Sequence, residues 1–314
     1  MRVTNTMMTN TTMLNLNNNL RRLDFYNKQF STTKKFTLPS ENPVGVSKSL
    51  VLNTTVNELK QNQKSAQGVL SWLEITESAV QDVNSVIQRA RELAVSADGV
   101  ETPKDKEKIQ IEIDSLKDQL IKLGNSTYSG KYIFSGYKTN QPLLDKDGKY
   151  AIDVKKDEKM DYQIGKSDLI DVNTLGHQLF GVGIADPSAG TIPAIPDNVN
   201  KNESAQLIAV FDYLSTALAG NNQDQIEEAL GMIDKHHENV LGVLGEIGAK
   251  SNRMEMTIKR IDKDIMNFTS LLSKNEDADM AQVSIDLKTA ETVYRASLAA
   301  GSKVIQPSLV DFMR

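Results

Sequence analysis

The chain has 314 residues, a formal net charge of −5 and no cysteine. Disulfides, thiolate metal sites and cysteine nucleophiles are therefore excluded. No Lys/Arg block exceeds a pair, so the concentrated basic surface that nucleic-acid phosphates require is missing. No apolar run reaches the roughly 18 residues of a membrane span.

The opening, Met1 to Asn19, carries one positive side chain and no apolar core, so no secretory signal is expected. Met13, Leu16, Leu20, Leu23, Asn27 and Phe30 then recur at helical steps. Pro39 and Pro43, with Gly45 following, stop that helix and start another. A second, long helix is predicted over residues 47–97. Its seam is Leu52, Val56, Leu59, Gln63, Ala66, Leu70 and Leu73, slipping by a three-residue step to Thr76, Val80, Val83, Ile87, Ala90 and Ala94. Thr102-Pro103 supplies an N-cap and an N1 proline for a third helix with Ile109, Ile113, Leu116, Leu120 and Leu123 on one face, closed by Gly124-Asn125.

From Tyr128 to about Asn200 glycine, proline and short alternating runs replace the heptads. Asp147-Gly148 between Leu143-Leu144 and Tyr150-Ile152-Val154 predicts a hairpin, and Pro187, Pro193 and Pro196 predict a linker-like exit. Helices resume near Glu203, with Leu207, Phe211, Leu214 and Leu218 on one face. The most regular seam follows: Ile226, Leu230, Ile233, His237, Val240, Leu244, Ile247, Ser251, Met254, Ile258, Ile261, Ile265, Phe268 and Leu272. Steps of four and three sustained this far predict a long supercoiling helix. A break between Ser273 and Asp279 leads to a last helix bearing Leu287, Tyr294, Leu298, Ile305, Leu309 and Phe312, which Pro307 should kink or end.

The two long helices flank the insert, so antiparallel packing is the simplest arrangement. The fold class expected is mainly α: an elongated antiparallel long-helix bundle or coiled coil with a small β-rich insert. The division expected is an N-terminal assembly arm (1–46), a first half-rod (47–137), an outer insert (138–200), a second half-rod (201–275) and a C-terminal assembly arm (276–314). The terminal stripes hold too little apolar surface to offset the backbone entropy of ordering their helices alone. Met13, Leu16, Leu20, Leu23, Phe30, Leu287, Tyr294, Leu298, Ile305, Leu309 and Phe312 are therefore expected to form an assembly interface.

Pro39, Pro43 and Gly45 are read as a structured turn. Gly242, Gly245 and Gly248, three apart inside the long helix, are either a strip where another backbone approaches or a tolerated weakness. His236 and His237 lack a ligand partner one turn away, which favours a polar register device over metal. Gly181-Val182-Gly183 lacks the third glycine of a dinucleotide loop, and Asp145-Asp147 fails the calcium-loop pattern at Tyr150. Tyr128, Tyr132, Phe134 and Tyr137 form either a binding surface or a hydrophobic corner. No enzyme activity and no cofactor are expected.

Several stretches resemble the bacterial flagellar axial proteins, flagellin and its relatives. Met1-Arg2-Val3-Thr4, Leu16-Asn17, Asn19-Leu20 and Arg22-Leu23 are similar to the family's opening. Pro39-Ser40-Glu41-Asn42-Pro43-Val44-Gly45 looks like the turn of its hook–filament junction branch. Gln88 to Ala94, Gly130 to Gly136, Gly248-Ala249 with Asn252 to Glu255, Asp277 to Ala281 and Ser308 to Phe312 resemble further family stretches. Residues 138–200 resemble nothing nameable.

The resemblance implies a structural axial component linking hook to filament, with terminal helices packed into an inner tube. It implies export through the flagellar channel without a cleaved signal, an extracellular location, and four partners: the first hook-associated protein, flagellin, copies of the chain in a ring, and an export chaperone on the C-terminal helix. Nucleic acid and membrane insertion are not implied. The alternatives are a short filament flagellin or a cytoplasmic coiled-coil scaffold or signalling protein.

Overall fold

A computed structural model describes residues 5–98, 102–165, 169–186 and 198–305. The chain is mainly α, with long helices and only small antiparallel strand pairs. In order these are α1 (Asn5–Thr32), α2 (Pro43–Asp98), α3 (Pro103–Gly124), β1 (Thr127–Tyr128), β2 (Lys131–Tyr132), β3 (Val154–Lys155), β4 (Asp161–Gln163), β5 (Leu169–Asp171), α4 (Gly176–Phe180), β6 (Asn198–Val199), α5 (Gln206–Ala219), α6 (Gln223–Glu276) and α7 (Met280–Ile305). Contacts divide the chain into two units, 1–60 with 263–314 and 61–262. The boundaries fall inside α2 and α6, so each long helix serves both units.

In the second unit α2 and α6 run antiparallel. Gln63 bonds Asp262, Gln88 meets His237 at 3.4 Å, Arg91 pairs with Asp234 at 2.5 Å and the Gln223 amide donates to Asp98 Oδ1 at 2.6 Å. One number falls as the other rises, as an antiparallel register requires. Thr102 precedes Pro103 as expected, but its hydroxyl donates to Asp105 (2.6 Å) rather than capping the helix amides.

The buried stripes keep most of the predicted seam positions but are wider and shift locally by one residue. On α6 the buried set in this unit is Ile226, Ala229, Met232, Ile233, His236, Val240, Val243, Ile247, Met254 and Ile261, with Leu230, His237 and Leu244 only half-buried. The core-facing histidine is therefore His236 and not His237. The reason is the number of neighbours. A two-helix coiled coil buries one narrow seam, whereas here α4 and the start of α5 also cover α6. Asn239 Nδ2 donates to the Gln178 carbonyl (2.7 Å), and a Cβ on Gly181 would lie 3.4 Å from His236 Cε1 and 2.9 Å from Gln206 Oε1. On α2 the stripe passes through Val69 instead of Leu70, so two successive three-residue steps fall at Gln63–Ala66–Val69 rather than at 70–73–76.

The insert is stitched to this rod. The strands pair β1–β2, β3–β6 and β4–β5, all antiparallel. The turn at Asp145–Gly148 forms as predicted, but it joins an isolated bridge, Leu144 to Tyr150, rather than two strands. Gly148 is required there. Its φ is +74°, and a Cβ would come within 2.3 Å of Ile208 Cγ2. The hairpin β1–β2 was not foreseen; Ser129 and Gly130 both adopt positive φ (52° and 79°), the conformation a two-residue hairpin turn demands. Pro187, Pro193 and Pro196 lie outside the described residues.

The core collects where insert and helices meet. Phe134, Tyr150, Phe180 and Phe211 are fully buried; Phe134 and Phe180 meet edge to face at 6.5 Å, and the Tyr150 hydroxyl donates to the Gly181 carbonyl at 2.6 Å. Lys250 Nζ, held at 3.0 Å from Asp171 and 2.9 Å from Glu246, ties β5 to α6.

His236 gives this core a pH dependence. The ring is 1% exposed, its Nδ1 has no partner, and burial pushes its pKa down to about 4. Above the unfolded value near 6.5 both states are neutral and stability is full. Between about 6.5 and 4 the unfolded chain takes a proton that the folded one refuses, so stability falls as pH drops, and below about 4 the contribution is constant. The loss attributable to His236 is roughly 3 kcal/mol. Thermal melts from pH 7 to 4 are expected to show it, and His236→Leu is expected to flatten the slope. An unchanged slope in that variant would refute the assignment.

Candidate assembly interface

The first unit contains the predicted interface residues, and none of the described side chains of α1 is fully buried. α1 lies antiparallel on α7. Asn19 Nδ2 donates to Ser297 Oγ (3.0 Å), and a Cβ on Gly301 would meet Thr12 Cγ2 at 3.3 Å. Beyond α1 the chain crosses to the α6–α7 junction: the Lys35 amide donates to the Glu276 carbonyl (2.7 Å), the Ala278 amide to the Thr33 carbonyl (2.9 Å), and Lys34 pairs with the Glu276 carboxylate.

The predicted stripe splits in two. Leu16, Leu23, Leu287 and Tyr294 are half-buried on the α1–α7 pair. Met13, Leu20, Phe30 and Leu298 remain 54, 45, 44 and 44% exposed. Met7, Met8, Leu14, Phe25, Ile285 and Val293 add to the exposed apolar surface, and sequence reasoning singled out none of them. A wider helical stripe would have found several, since Leu14 and Phe25 lie one or two positions from predicted ones. Ile305 closes α7, while Leu309 and Phe312 lie outside the described residues, as does Pro307.

The turn between α1 and α2 is built locally. Pro39 sits in a tight turn closed by the Glu41 amide on the Leu38 carbonyl (3.1 Å). The Glu41 carboxylate accepts from the amides of Thr37 (2.7 Å) and Leu38 (3.2 Å), which hold its pKa below the usual carboxylate range. Asn42 caps α2 by accepting from the Gly45 amide at 2.9 Å, and Pro43 takes the first helical position, where its missing N–H costs nothing. Gly45 is a close-packing point: a Cβ would lie 2.6 Å from Asn42 Nδ2 and 2.8 Å from Phe36 Cε1. Asn275 then clamps the turn, donating to the Gly45 carbonyl and to Ser49 Oγ, each at 2.9 Å.

Gly242, Gly245 and Gly248 behave differently. No heavy atom lies within 4 Å of where a Cβ would stand, so within this chain they form no close-packing strip. They lie open on α6, in the second unit.

Among the described residues no three His, Cys, Asp or Glu side chains gather as a metal site would need, and no helix is long and apolar enough to cross a membrane. His177 is buried with both ring nitrogens unpartnered, and burial and then Lys156 lower its pKa.

What these elements define is a helical subunit whose terminal helix pair leaves apolar side chains exposed. The profile of the bacterial flagellin N-terminal helical region matches residues 3–139, and that of the flagellin C-terminal helical region matches residues 230–313. Together they span well over half the chain, which belongs to the flagellin family of structural flagellar proteins. Within that family it is 28% identical over 312 residues to flagellar hook-associated protein 3 of Escherichia coli K12, covering 96% of each chain. It is 25% identical over 286 residues to flagellin of Bacillus subtilis 168, covering 87% of this chain and 86% of that one. In fold it is similar to the crystal structure of hook-associated protein 3 from Legionella pneumophila (TM-score 0.59, 17% identity, 71% of this chain and 98% of that one). The resemblance drawn from the sequence motifs is borne out.

Proposed function

We propose that this chain is the axial subunit that joins hook to filament, and that residues 1–46 and 276–314 are assembly arms whose burial neighbouring subunits complete. The observation that carries this reading is α1. A 28-residue helix without a fully buried described side chain, bearing Met13, Leu20 and Phe30 in the open, has surface reserved for something outside the chain. Apolar surface on that scale is what protein association hides.

The arms pack with those of neighbours into an inner tube, and the insert faces outward. The partners are the first hook-associated protein, flagellin, copies of the chain in a ring, and an export chaperone that covers the C-terminal helix beforehand. The chain leaves the cell unfolded through the flagellar channel and works outside it. A filament flagellin is the second reading, favoured by the match to the Bacillus subtilis protein. The longer and higher-identity match to hook-associated protein 3 supports the junction role.

A strain lacking this chain is expected to make hooks and to shed unpolymerised flagellin into the medium. Electron microscopy and blots of the culture supernatant read both outcomes. Normal filaments in that strain would overturn the proposal, and loss of the bulk protein from sheared filaments would favour the filament reading.

A further inference from the structure

One cavity of the second unit has no part in assembly as proposed. It is a half-open cleft of about 390 Å³ between α2 and the β1–β2 hairpin, with Met160, Tyr162 and Val172 also lining it. That is the scale of a small-ligand site. Its aromatic wall is Trp72, set edge to face on Tyr128 at 5.8 Å, with Tyr162 opposite the helix.

Polar groups converge on the same space. Ser65, Ser129 and Thr139 line it. Lys64 and Lys131, also on the lining, make no ion pair among the described residues. Gly68 leaves the helix wall open, with nothing within 4 Å of a Cβ position. An extended peptide adding to the hairpin is disfavoured, because the outward amide of Tyr132 already donates to the Thr139 carbonyl at 2.8 Å.

From these groups we infer that the cavity binds a carboxylated saccharide of about two rings. Aromatic faces suit the C–H face of a sugar ring. Hydroxyls that both donate and accept suit its own hydroxyls. The two lysines suit a carboxylate.

The chain has a single tryptophan, so the emission of the full-length protein reports on this site directly. Titration with digalacturonate is expected to give a saturable change in Trp72 emission, and cellobiose, the neutral counterpart, much less. Lys64→Gln with Lys131→Gln, both at exposed positions, is expected to weaken binding about tenfold or more without altering the melt. Gly68→Leu fills the cavity from a helix position with room for it and is expected to abolish the response. Equal binding of cellobiose, binding of an oligoglutamate peptide in place of the sugar, or no response to digalacturonate at millimolar concentration would each overturn the inference.

Discussion

Leu20→Asp combined with Phe30→Asp is expected to abolish assembly while leaving the melt of the second unit unchanged. Both side chains sit on α1, 45 and 44% exposed, so neither substitution breaks a packed core in the isolated chain. The intrinsic helix penalty is small, roughly 0.7 kcal/mol or less per residue. In the assembled state both carboxylates would enter an apolar contact with no counter-ion, at a cost of several kcal/mol each. That penalty is multiplied over every copy in a ring. The loss is therefore expected to be complete, read as absent swimming and flagellin released into the medium. Leu20→Met with Phe30→Leu, which keeps both positions apolar, is the control and is expected to be tolerated. Filaments of normal length in the double variant would show that the stripe is not an interface.

The second large effect belongs to the core of the other unit. Phe180→Ala is expected to cost about 3–5 kcal/mol. Phe180 is fully buried, meets Phe134 edge to face, and lies where a Cβ on Gly124 would come within 2.9 Å of its Cζ. It thus joins α4, the end of α3 and the stretch after β2 in one contact. Too few neighbours can move to refill the space, because each is anchored elsewhere: Tyr150 to the Gly181 carbonyl, Asn125 to Leu144. A fall of about 10 °C in the calorimetric melting temperature follows for a unit of this size. A shift of only a degree or two would mean that the insert packs independently of the rod. Leu20→Asp and Phe180→Ala should be additive, since they lie in different units with no shared partner.

The rings of the aromatic stretch go to different surroundings. Phe134 is a hydrophobic corner, wholly enclosed beside Phe180. Tyr128 lines the cavity against Trp72, and Tyr137 is exposed with its hydroxyl on the Lys159 carbonyl at 2.8 Å. Spacing alone placed these rings near one another. Which of them faced inward depended on the turn at Ser129-Gly130, where a serine in the left-handed region gives little sequence signal. The pairing of β3 with β6 was similarly invisible, because Val154 and Val199 are 45 residues apart and neither run alternates long enough to declare a partner.

Local information was sufficient for the helices, their stops and the turn that starts α2. Proline, glycine, asparagine and a four–three apolar rhythm act within a few residues, and the physics that reads them is equally short in range. The same rhythm was enough to mark an apolar stripe at each end of the chain. The apolar rhythm also marked the sealed side of each long helix, and tertiary packing decided how wide that face is and where it shifts by one residue. A stripe of period 3.5 fixes that a helix buries one face, but Val69 over Leu70 and His236 over His237 are settled by how many neighbours crowd that face. At His236 the neighbour is Gly181, just past α4, and at Val69 it is the β1–β2 hairpin, both distant in sequence from the helix they cover.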